Sequence, residues 1–214
     1  MRDSEIAAMR QDYTIGELLE SNAPSEPWEL FSSWFEIARK TKILEPNAMI
    51  LSTVMQDGQP TSRVVLLKDF DQNGLVFFTN YLSQKGEQLA HNPRASILFW
   101  WEPLQRQIRV EGEVVKIDEE DSDAYFQSRP YGSRLGAWIS EQSQTIVDRI
   151  ALEKRQIEFE KKFEDGNVPR PDHWGGYRLA PNKFEFWQGR SNRLHDRLLY
   201  QMKQDSWTRV RLAP

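Results

Sequence analysis

A run of cationic and aromatic residues near the C-terminus has a spacing that could recognise an anion. The run is Trp187-Gln-Gly-Arg-Ser-Asn-Arg193-Leu-His195-Asp-Arg197. On a strand over Asn192–Tyr200, side chains alternate between faces, so Arg193, His195 and Arg197 would project from one side. Guanidinium groups keep their charge and present fixed, forked donors. The pattern predicts a site for a flat anion with Trp187 at its mouth; a solvated strand face is the alternative.

Further cations occupy positions typical of a phosphate site. Arg63 and Lys68 stand at the two ends of an apolar stretch. Their spacing puts them on opposite faces of a regular strand, unless the strand bulges or Lys68 reaches round its end. Lys85 follows Ser83, the predicted N-cap of a helix, where free N–H groups favour an anion. A solvated lysine is the alternative for Lys85.

A third group of polar residues lies in a predicted helical region. Tyr125 and Arg129 are four residues apart and therefore share a helix face, with Ser133 shortly after them. Three such hydrogen-bonding groups would suit a phosphate. Three other polar residues lie at the ends of predicted elements: Gln107, Gln142 and Ser143. For each of them, a structural role or simple exposure to solvent is the alternative to a binding role.

The composition argues against several other kinds of chemistry. The chain has 3 histidines, none at a metal-ligand spacing, and no cysteine, so we expect no metal site, disulfide or cysteine nucleophile. Glycine-rich nucleotide-binding motifs and the G-x-S-x-G nucleophile elbow are absent. A formal net charge of −4 argues against a general nucleic-acid-binding protein. Any phosphate must therefore be bound by side-chain cations and helix N-termini.

The same composition predicts a soluble protein of the cytoplasm. A hydrophobic content of 39% with 12% aromatic residues is enough for a packed core. No apolar run is long enough to span a membrane, and the first residues lack the apolar stretch of a secretory signal. The absence of cysteine fits a reducing compartment.

Hairpin signals and inserted helices predict an antiparallel β-barrel with helical additions. The turns at Asp57-Gly58 and Asn73-Gly74 each favour a hairpin. We predict strands at Ala48–Met55, Thr61–Phe70, Leu75–Thr79, Ala95–Trp101, Gln107–Ile117, Tyr177–Leu179, Phe184–Trp187, Asn192–Tyr200 and Thr208–Leu212. We predict helices from Ser25 to about Thr41 and at Ser83–His91, Glu119–Gln127, Pro130–Ile139 and Thr145–Phe163. Residues 1–24 are predicted to form a mobile arm, and residues 25–214 a single domain.

Ordered motifs from about Arg10 to the C-terminus resemble the pyridoxine/pyridoxamine 5′-phosphate oxidase family. They are Arg63-Val-Val-Leu-Leu-Lys68, Phe77-Phe-Thr79-Asn, Tyr125-Phe-Gln-Ser-Arg129-Pro-Tyr-Gly-Ser133, Gln142-Ser143, Phe186-Trp-Gln-Gly, Arg193-Leu-His195-Asp-Arg197 and Arg209-Val-Arg-Leu-Ala-Pro214. The resemblance implies a homodimeric split β-barrel that holds FMN at the subunit interface. It also implies oxidation of pyridoxine or pyridoxamine 5′-phosphate to pyridoxal 5′-phosphate, with O₂ reduced to H₂O₂.

The resemblance further implies roles for individual positions. Those implied to bind FMN are Arg63, Val64, Val65, Leu66, Lys68, Phe78, Thr79, Gln84, Lys85, Gln107, Gln142, Ser143, Trp187 and Arg197. Those implied to bind the substrate are Arg10, Tyr13, Lys68, Tyr125, Arg129, Ser133, Arg193 and His195. Arg193 and His195 are implied to be catalytic, His195 either as a hydrogen-bond partner of the ring oxygen or as a base.

One position departs from the family pattern. Gln84 stands where the family usually has a second cation beside Lys85. The resemblance then implies that FMN is held less tightly or that another residue supplies the charge. Two functional alternatives remain: another split-barrel FMN protein such as a flavin reductase, and a non-enzymatic carrier of flavin or pyridoxal phosphate.

Overall fold

A computed structural model describes Ile6, Ala8, Met9 and residues 11–214. This part of the chain has nine strands and five α-helices, so the prediction of a mainly antiparallel β fold with helical additions is confirmed. The strands are β1 Ala48–Val54, β2 Pro60–Leu66, β3 Asp69–Asp71, β4 Gly74–Asn80, β5 Arg94–Trp101, β6 Arg106–Lys116, β7 Trp174–Gln188, β8 Asp196–Lys203 and β9 Ser206–Arg211. The helices are α1 Pro27–Lys40, α2 Gln84–His91, α3 Glu119–Ser128, α4 Tyr131–Ile139 and α5 Arg149–Lys162. None of these helices is long and apolar enough to cross a membrane.

The strands follow the order β2-β1-β5-β6-β7-β4-β3, with β8 paired to β7 and to β9. The pairings β3–β4, β4–β7, β7–β8 and β8–β9 are antiparallel. The described residues divide into two compact units. The central unit contains Ile50–Ser96 and Gly112–Pro181, and the terminal unit contains the described residues up to Met49, Ile97–Glu111 and Asn182–Pro214.

In the central unit, the predicted turns form as their chemistry requires. Gly58 has a φ of 89°, a backbone conformation that favours glycine. In the β3–β4 hairpin, the Asp71 carboxylate accepts hydrogen bonds from the backbone N–H groups of Asn73 and Gly74 at 2.8 and 3.1 Å. These turns fix the register of strands whose apolar residues lie in the core.

The helices of the central unit pack over an apolar cluster. Phe126 of α3 and Leu135 of α4 are buried with Phe163, Val168 and Trp174. Helix α5 begins at Arg149, four residues later than predicted, because the Asp148 side chain accepts a hydrogen bond from the N–H of Ala151 and so caps the helix there.

In the terminal unit, α1 packs its aromatic face on β7. Pro27 lies in the first turn, where its missing N–H leaves no hydrogen bond unmade. The ring of Trp34 lies 5.4 Å from that of Phe186, edge to face. Phe184 and Phe186 are two residues apart and lie on the same side of β7, and both are fully buried. This aromatic core supports the strand that carries Trp187.

Residues 18–24 are bound to the last two strands. Arg211 of β9 donates to the carboxylate of Glu20 at 2.6 Å and to the carbonyl of Leu18 at 2.9 Å. Arg209 donates to the carbonyl of Pro24 at 3.0 Å, and the hydroxyl of Tyr200 donates to the same carbonyl at 2.7 Å. We call residues 18–24 the strapped segment.

Two predicted strands have different boundaries in the structure. β2 ends at Leu66 and not at Phe70, because the N–H of Lys68 bonds to the carbonyl of Val76 in β4. The two strands predicted over 177–187 are one strand, β7. Pro181 does not break it, since this residue lies between the positions that pair with β4 and those that pair with β8.

The prediction of one cationic strand face over 192–197 is wrong. Ser191–Arg193 form a 3₁₀ turn, and β8 begins only at Asp196. Asn192 and Arg193 have φ values of 55° and 61°, which a strand cannot accommodate. Arg193, His195 and Arg197 therefore do not share a strand.

Candidate active site

The central unit contains a cavity of about 600 Å³ that collects many of the predicted site residues. Residues from β2, β4, α2 and the α3–α4 region form its walls. The predicted positions among them are Val64, Val65, Leu66, Lys68, Phe78, Thr79, Lys85, Tyr125, Arg129, Ser133 and Gln142. Trp174 also lines this cavity, although the sequence pattern gave it no role.

Lys85 is a buried cation that forms no ion pair with a carboxylate of the described residues. It lies in the first turn of α2, whose predicted N-cap, Ser83, accepts a hydrogen bond from the N–H of Gly86. The Lys85 ammonium donates to Thr79 Oγ1 at 3.1 Å and to Gln142 Oε1 at 2.9 Å. Burial and the nearby charge of Arg63 lower the pKa of Lys85 to about 8. An anion beside Lys85 would relieve both effects.

Arg63 lies close enough to repel Lys85, but its guanidinium is held by neutral acceptors of its own region. Its Nη1 donates to Thr53 Oγ1 at 2.5 Å, and its Nη2 donates to Thr61 Oγ1 at 2.6 Å. Burial lowers the pKa of Arg63. The structure therefore places two cations together, and neither forms an ion pair with a carboxylate in the part of the chain that the structure describes. Arg63 itself is not among the residues that line the cavity.

The cavity has a flat aromatic wall. The rings of Phe78 and Tyr125 are stacked with centroids 3.8 Å apart, and the rings of Phe78 and Trp174 are stacked at 5.5 Å. Planar rings favour a planar ligand, because offset stacking is available along their faces.

Arg129 lies against this wall with an unsatisfied donor. Its guanidinium is 4.5 Å from the centroid of the Trp174 ring, and its Nη1 is buried without a hydrogen-bond partner among the described residues. Burial lowers the pKa of Arg129. Arg129 is the residue after the end of α3 and has an extended backbone, so the prediction that it shares a helix face with Tyr125 is wrong. It nevertheless lines the same cavity as Tyr125.

Besides Arg63, two residues of the predicted FMN site in the central unit lie outside the lining of this cavity. Gln84 is the first residue of α2 and is exposed. Ser143 is exposed in a loop with a φ of 76°. Their roles remain predictions.

A second cavity, of about 960 Å³, lies within the terminal unit. Its lining contains five of the predicted residues: Tyr13, Gln107, Trp187, Arg193 and His195. The His195 ring is 4.6 Å from the Trp187 ring and 5.8 Å from the Tyr13 ring. Arg10, predicted to bind the substrate, lies outside the described residues.

The His195 ring has a defined tautomer. Its Nδ1 accepts a hydrogen bond from the backbone N–H of Arg190 at 3.1 Å. Because a backbone N–H can only donate, Nδ1 carries no proton, and the neutral ring carries its proton on Nε2. Burial and the charge of Arg193 lower the pKa of His195. His195 is thus a neutral donor through Nε2, with Arg190 as a partner that the sequence motif did not reveal.

Arg197 lies on β8 directly opposite Trp187 of β7. Its Nε donates to Glu185 Oε1 at 2.8 Å, and its Nη1 donates to the carbonyl of Ala213 at 2.7 Å. The sequence reasoning missed Glu185. A signal was present, because a lone carboxylate stands within the apolar run Phe184-Glu-Phe-Trp187.

Comparison with known proteins identifies the family. The sequence profile described as "Pyridoxamine 5′-phosphate oxidase" matches residues 35–162. The chain belongs to the pyridoxine/pyridoxamine 5′-phosphate oxidase family. A second profile of this family, "Pyridoxine 5′-phosphate oxidase C-terminal dimerisation region", matches residues 174–214. The prediction of an oxidase of vitamin B6 metabolism is confirmed at the level of the family.

Curated relatives agree along the whole length of the chain. The pyridoxine/pyridoxamine 5′-phosphate oxidase of Trichormus variabilis is 54% identical over 213 residues, which cover 99% of this chain and 100% of the relative. That of Pseudomonas paraeruginosa is 55% identical over 211 residues, which cover 98% of each. The family match therefore includes both units of the chain.

Solved structures confirm the split-barrel fold. PhzG from Burkholderia lata, in complex with tetrahydrophenazine-1-carboxylic acid, is 33% identical with a TM-score of 0.87, covering 94% of this chain and 99% of that chain. A pyridoxamine 5′-phosphate oxidase-related, FMN-binding protein from Nostoc punctiforme is 20% identical with a TM-score of 0.70, covering 90% and 100%. The latter supports the fold alone.

Proposed function

We propose that the protein is an FMN-dependent oxidase that converts pyridoxine 5′-phosphate and pyridoxamine 5′-phosphate to pyridoxal 5′-phosphate, with O₂ reduced to H₂O₂. One observation carries the proposal. The central unit has four cations in or beside an aromatic-walled cavity, and none forms an ion pair with a carboxylate of the described chain: Arg63, Lys68, Lys85 and Arg129. Lys85 is buried, Arg63 and Arg129 are partly buried, and Lys68 is exposed. A buried cation needs a compensating anion. A cofactor phosphate and a substrate phosphate would supply such anions.

The residues around Lys85 fit the phosphate of FMN. Lys85, Thr79 and Gln142 present an ammonium, a hydroxyl and an amide within 3.3 Å of one another. All three can donate to phosphate oxygens. Bound FMN would supply the two-electron acceptor. Arg197, held near Trp187, would place a fixed positive charge beside the ring that accepts the electrons.

A second set of residues fits the phosphate of the substrate. The buried Nη1 of Arg129 has no hydrogen-bond partner within the described chain, and Lys68, Tyr125 and Ser133 line the same cavity. A phosphate that takes no part in the reaction can bind the protein at a distance from the reacting carbon. Binding energy gained there can orient the reacting carbon.

Arg193 and His195 are proposed to act on the pyridine ring. Arg193 would lie over the ring and stabilise negative charge that develops on it. The hydrogen bond from Arg190 to His195 Nδ1 favours a donor role for His195 Nε2 toward the ring oxygen over a role as a base. A base would need a ring nitrogen with a free lone pair, and Nδ1 is already engaged.

The likeness to PhzG favours a second candidate, an oxidase that acts on a fused-ring carboxylic acid. Such a substrate, as in that structure's ligand, carries a carboxylate and no phosphate. The second cationic set, with Lys68 and Arg129, is better matched by a phosphate ester. A flavin reductase has no need of this set. A non-enzymatic carrier of flavin or pyridoxal phosphate differs from the oxidase in showing no turnover.

The test is a flavin reduction experiment. We expect the purified protein to show a flavin absorption spectrum that bleaches when pyridoxine 5′-phosphate is added without oxygen. Pyridoxine without its phosphate is the matched control and should bleach the flavin far more slowly at equal concentration. Bound FMN with no bleaching would contradict the oxidase and support a carrier. Bleaching by a tetrahydrophenazine carboxylic acid alone would support the second candidate.

Replacing His195 by glutamine should preserve most of the rate of flavin reduction, whereas replacing it by alanine should lower this rate by about ten- to a hundredfold. Glutamine keeps an N–H donor near the position of Nε2, and a hydrogen bond to a charged group contributes about 1.5–3 kcal/mol. Stopped-flow absorbance at saturating substrate measures the rate. Equal losses in the two variants would contradict the donor role and favour a base.

The pH dependence gives a second readout of His195. Protonation of Nδ1 breaks the bond from Arg190, so the rate should fall as the pH drops through the lowered pKa of His195, below 6.5. Because this pKa is depressed in the folded protein, the associated stability is present above pH 6.5 and is lost in the same acidic range. The acidic fall in rate should be absent from the His195→Gln variant.

A further inference from the structure

Glu185 is a buried carboxylate that contacts two guanidinium groups in the terminal unit. Its side chain is 3% exposed. Oε1 accepts from Arg197 Nε at 2.8 Å, and Oε2 accepts from Arg109 Nη2 at 2.5 Å. Glu185 and Trp187 are two residues apart on β7 and so share a face, and Arg197 is the cross-strand partner of Trp187. The carboxylate therefore lies next to the predicted ring-contacting pair.

We propose that Glu185 is a positioning residue, which fixes the Arg197 guanidinium in the orientation that contacts the flavin ring. The part of this inference that concerns flavin rests on the proposed function. A free arginine side chain has many rotamers, and ordering it costs entropy. Glu185 and the carbonyl of Ala213 together hold Nε and Nη1 of Arg197. In the described chain Nη2 has no partner, and it is the donor left for a ligand.

The charges around Glu185 explain why a carboxylate serves here. Arg109 Nε lies 3.1 Å from Glu111, and Glu111 lies 3.3 Å from the Lys183 ammonium. The series Lys183, Glu111, Arg109, Glu185, Arg197 thus alternates in sign. Glu185 is the only member in contact with Arg197 in the described residues. Without it, two guanidinium groups would approach each other with no anion between them.

The test is a double-mutant cycle on FMN binding, read by quenching of flavin fluorescence. We expect Glu185→Ala to lower the affinity for oxidised FMN at least tenfold, and Arg197→Ala to lower it at least as much. The double variant should be no weaker than Arg197→Ala alone, because Glu185 acts through Arg197. Glu111→Ala is the matched control, because the Glu111 carboxylate contacts Arg109 and not Arg197. Its FMN affinity should stay within about twofold of wild type. Additive losses would overturn the proposal.

A second readout separates positioning from a merely structural role. The ratio of reduced to oxidised FMN affinity should fall about tenfold in Glu185→Ala, which for a two-electron couple lowers the flavin potential by about 30 mV. Glu185→Gln keeps the side-chain volume and replaces the alanine variant if that variant does not fold. Its ratio of reduced to oxidised FMN affinity should fall by less than tenfold. An unchanged ratio in a folded Glu185→Gln variant would overturn the proposal.

A third measurement distinguishes a failure of the proposed function from a failure of the positioning role. In the protein without FMN, the Nε–H of Arg197 should give a slowly exchanging NMR signal in wild type and in Glu111→Ala, and a fast-exchanging one in Glu185→Gln. A protein that binds no FMN but shows this difference would refute the proposed cofactor and retain the positioning role. Equal exchange in all three proteins would refute the positioning role itself.

Discussion

Mixing two inactive variants of this chain should restore about a quarter of the wild-type activity. One variant carries Arg63→Ala with Lys85→Ala, and the other carries Trp187→Ala with Arg197→Ala. We propose that each FMN site takes its phosphate cradle from one subunit of a homodimer and its ring-contacting residues from the other. In a mixed dimer, one site then collects all the lesions and the other collects none. Random exchange makes about half of the dimers mixed, so about a quarter of all sites are intact.

Subunit exchange is followed by native mass spectrometry, and activity by H₂O₂ production. The matched control mixes the first variant with a protein that carries all four substitutions, a combination in which every cradle is damaged and no activity should return. If confirmed exchange between the two double variants restores nothing, both parts of the site belong to one chain and the interface hypothesis is wrong.

Replacing Arg129 by alanine should raise KM for pyridoxine 5′-phosphate by about ten- to a hundredfold while changing kcat much less. The buried Nη1 of Arg129 has no acceptor among the residues that the structure describes. A charge-assisted bond to a non-reacting phosphate contributes about 1.5–3 kcal/mol. Such a contact is made equally in the ground state and the transition state, so its loss affects KM. Steady-state kinetics measure both constants.

Arg134→Ala is the matched control for this variant. Arg134 lies on α4, donates to Gln127 at 2.7 Å and does not line the cavity. It should leave KM unchanged within about twofold. An unchanged KM in a folded Arg129→Ala variant would remove Arg129 from the phosphate site. A fall in kcat alone would instead place it at the reacting ring.

Local chemistry made much of the central unit predictable. The turns at Asp57-Gly58 and Asn73-Gly74 specify hairpins through their own backbone preferences, and the helix after Ser83 begins at its side-chain cap. Apolar periodicity then assigns the strands and helices between these points. Most of the residues that the family motifs mark as a phosphate site line one cavity, because those elements carry them there.

The arrangement of the terminal unit could not be predicted in the same way. Alternation along 193–197 suggested a strand, but the positive φ values at Asn192 and Arg193 turn the chain before β8 begins. The bond from Arg190 to His195 forms across that turn and has no counterpart in a strand pattern. Glu185 and Arg109 are 76 residues apart, and no local rule relates them.

The strapped segment has a consequence for folding during synthesis. Glu20 and Arg211 are separated by 191 positions, so the partner of this segment is made long after the segment itself. At roughly 5–20 residues per second, the ribosome needs about 10–40 s to add that many residues. Throughout this interval, Leu18 and its neighbours lack the strands that cover them. The nascent chain therefore exposes this segment to chaperones and proteases until β9 emerges, and a stalled chain that ends before β9 should be cleaved there first.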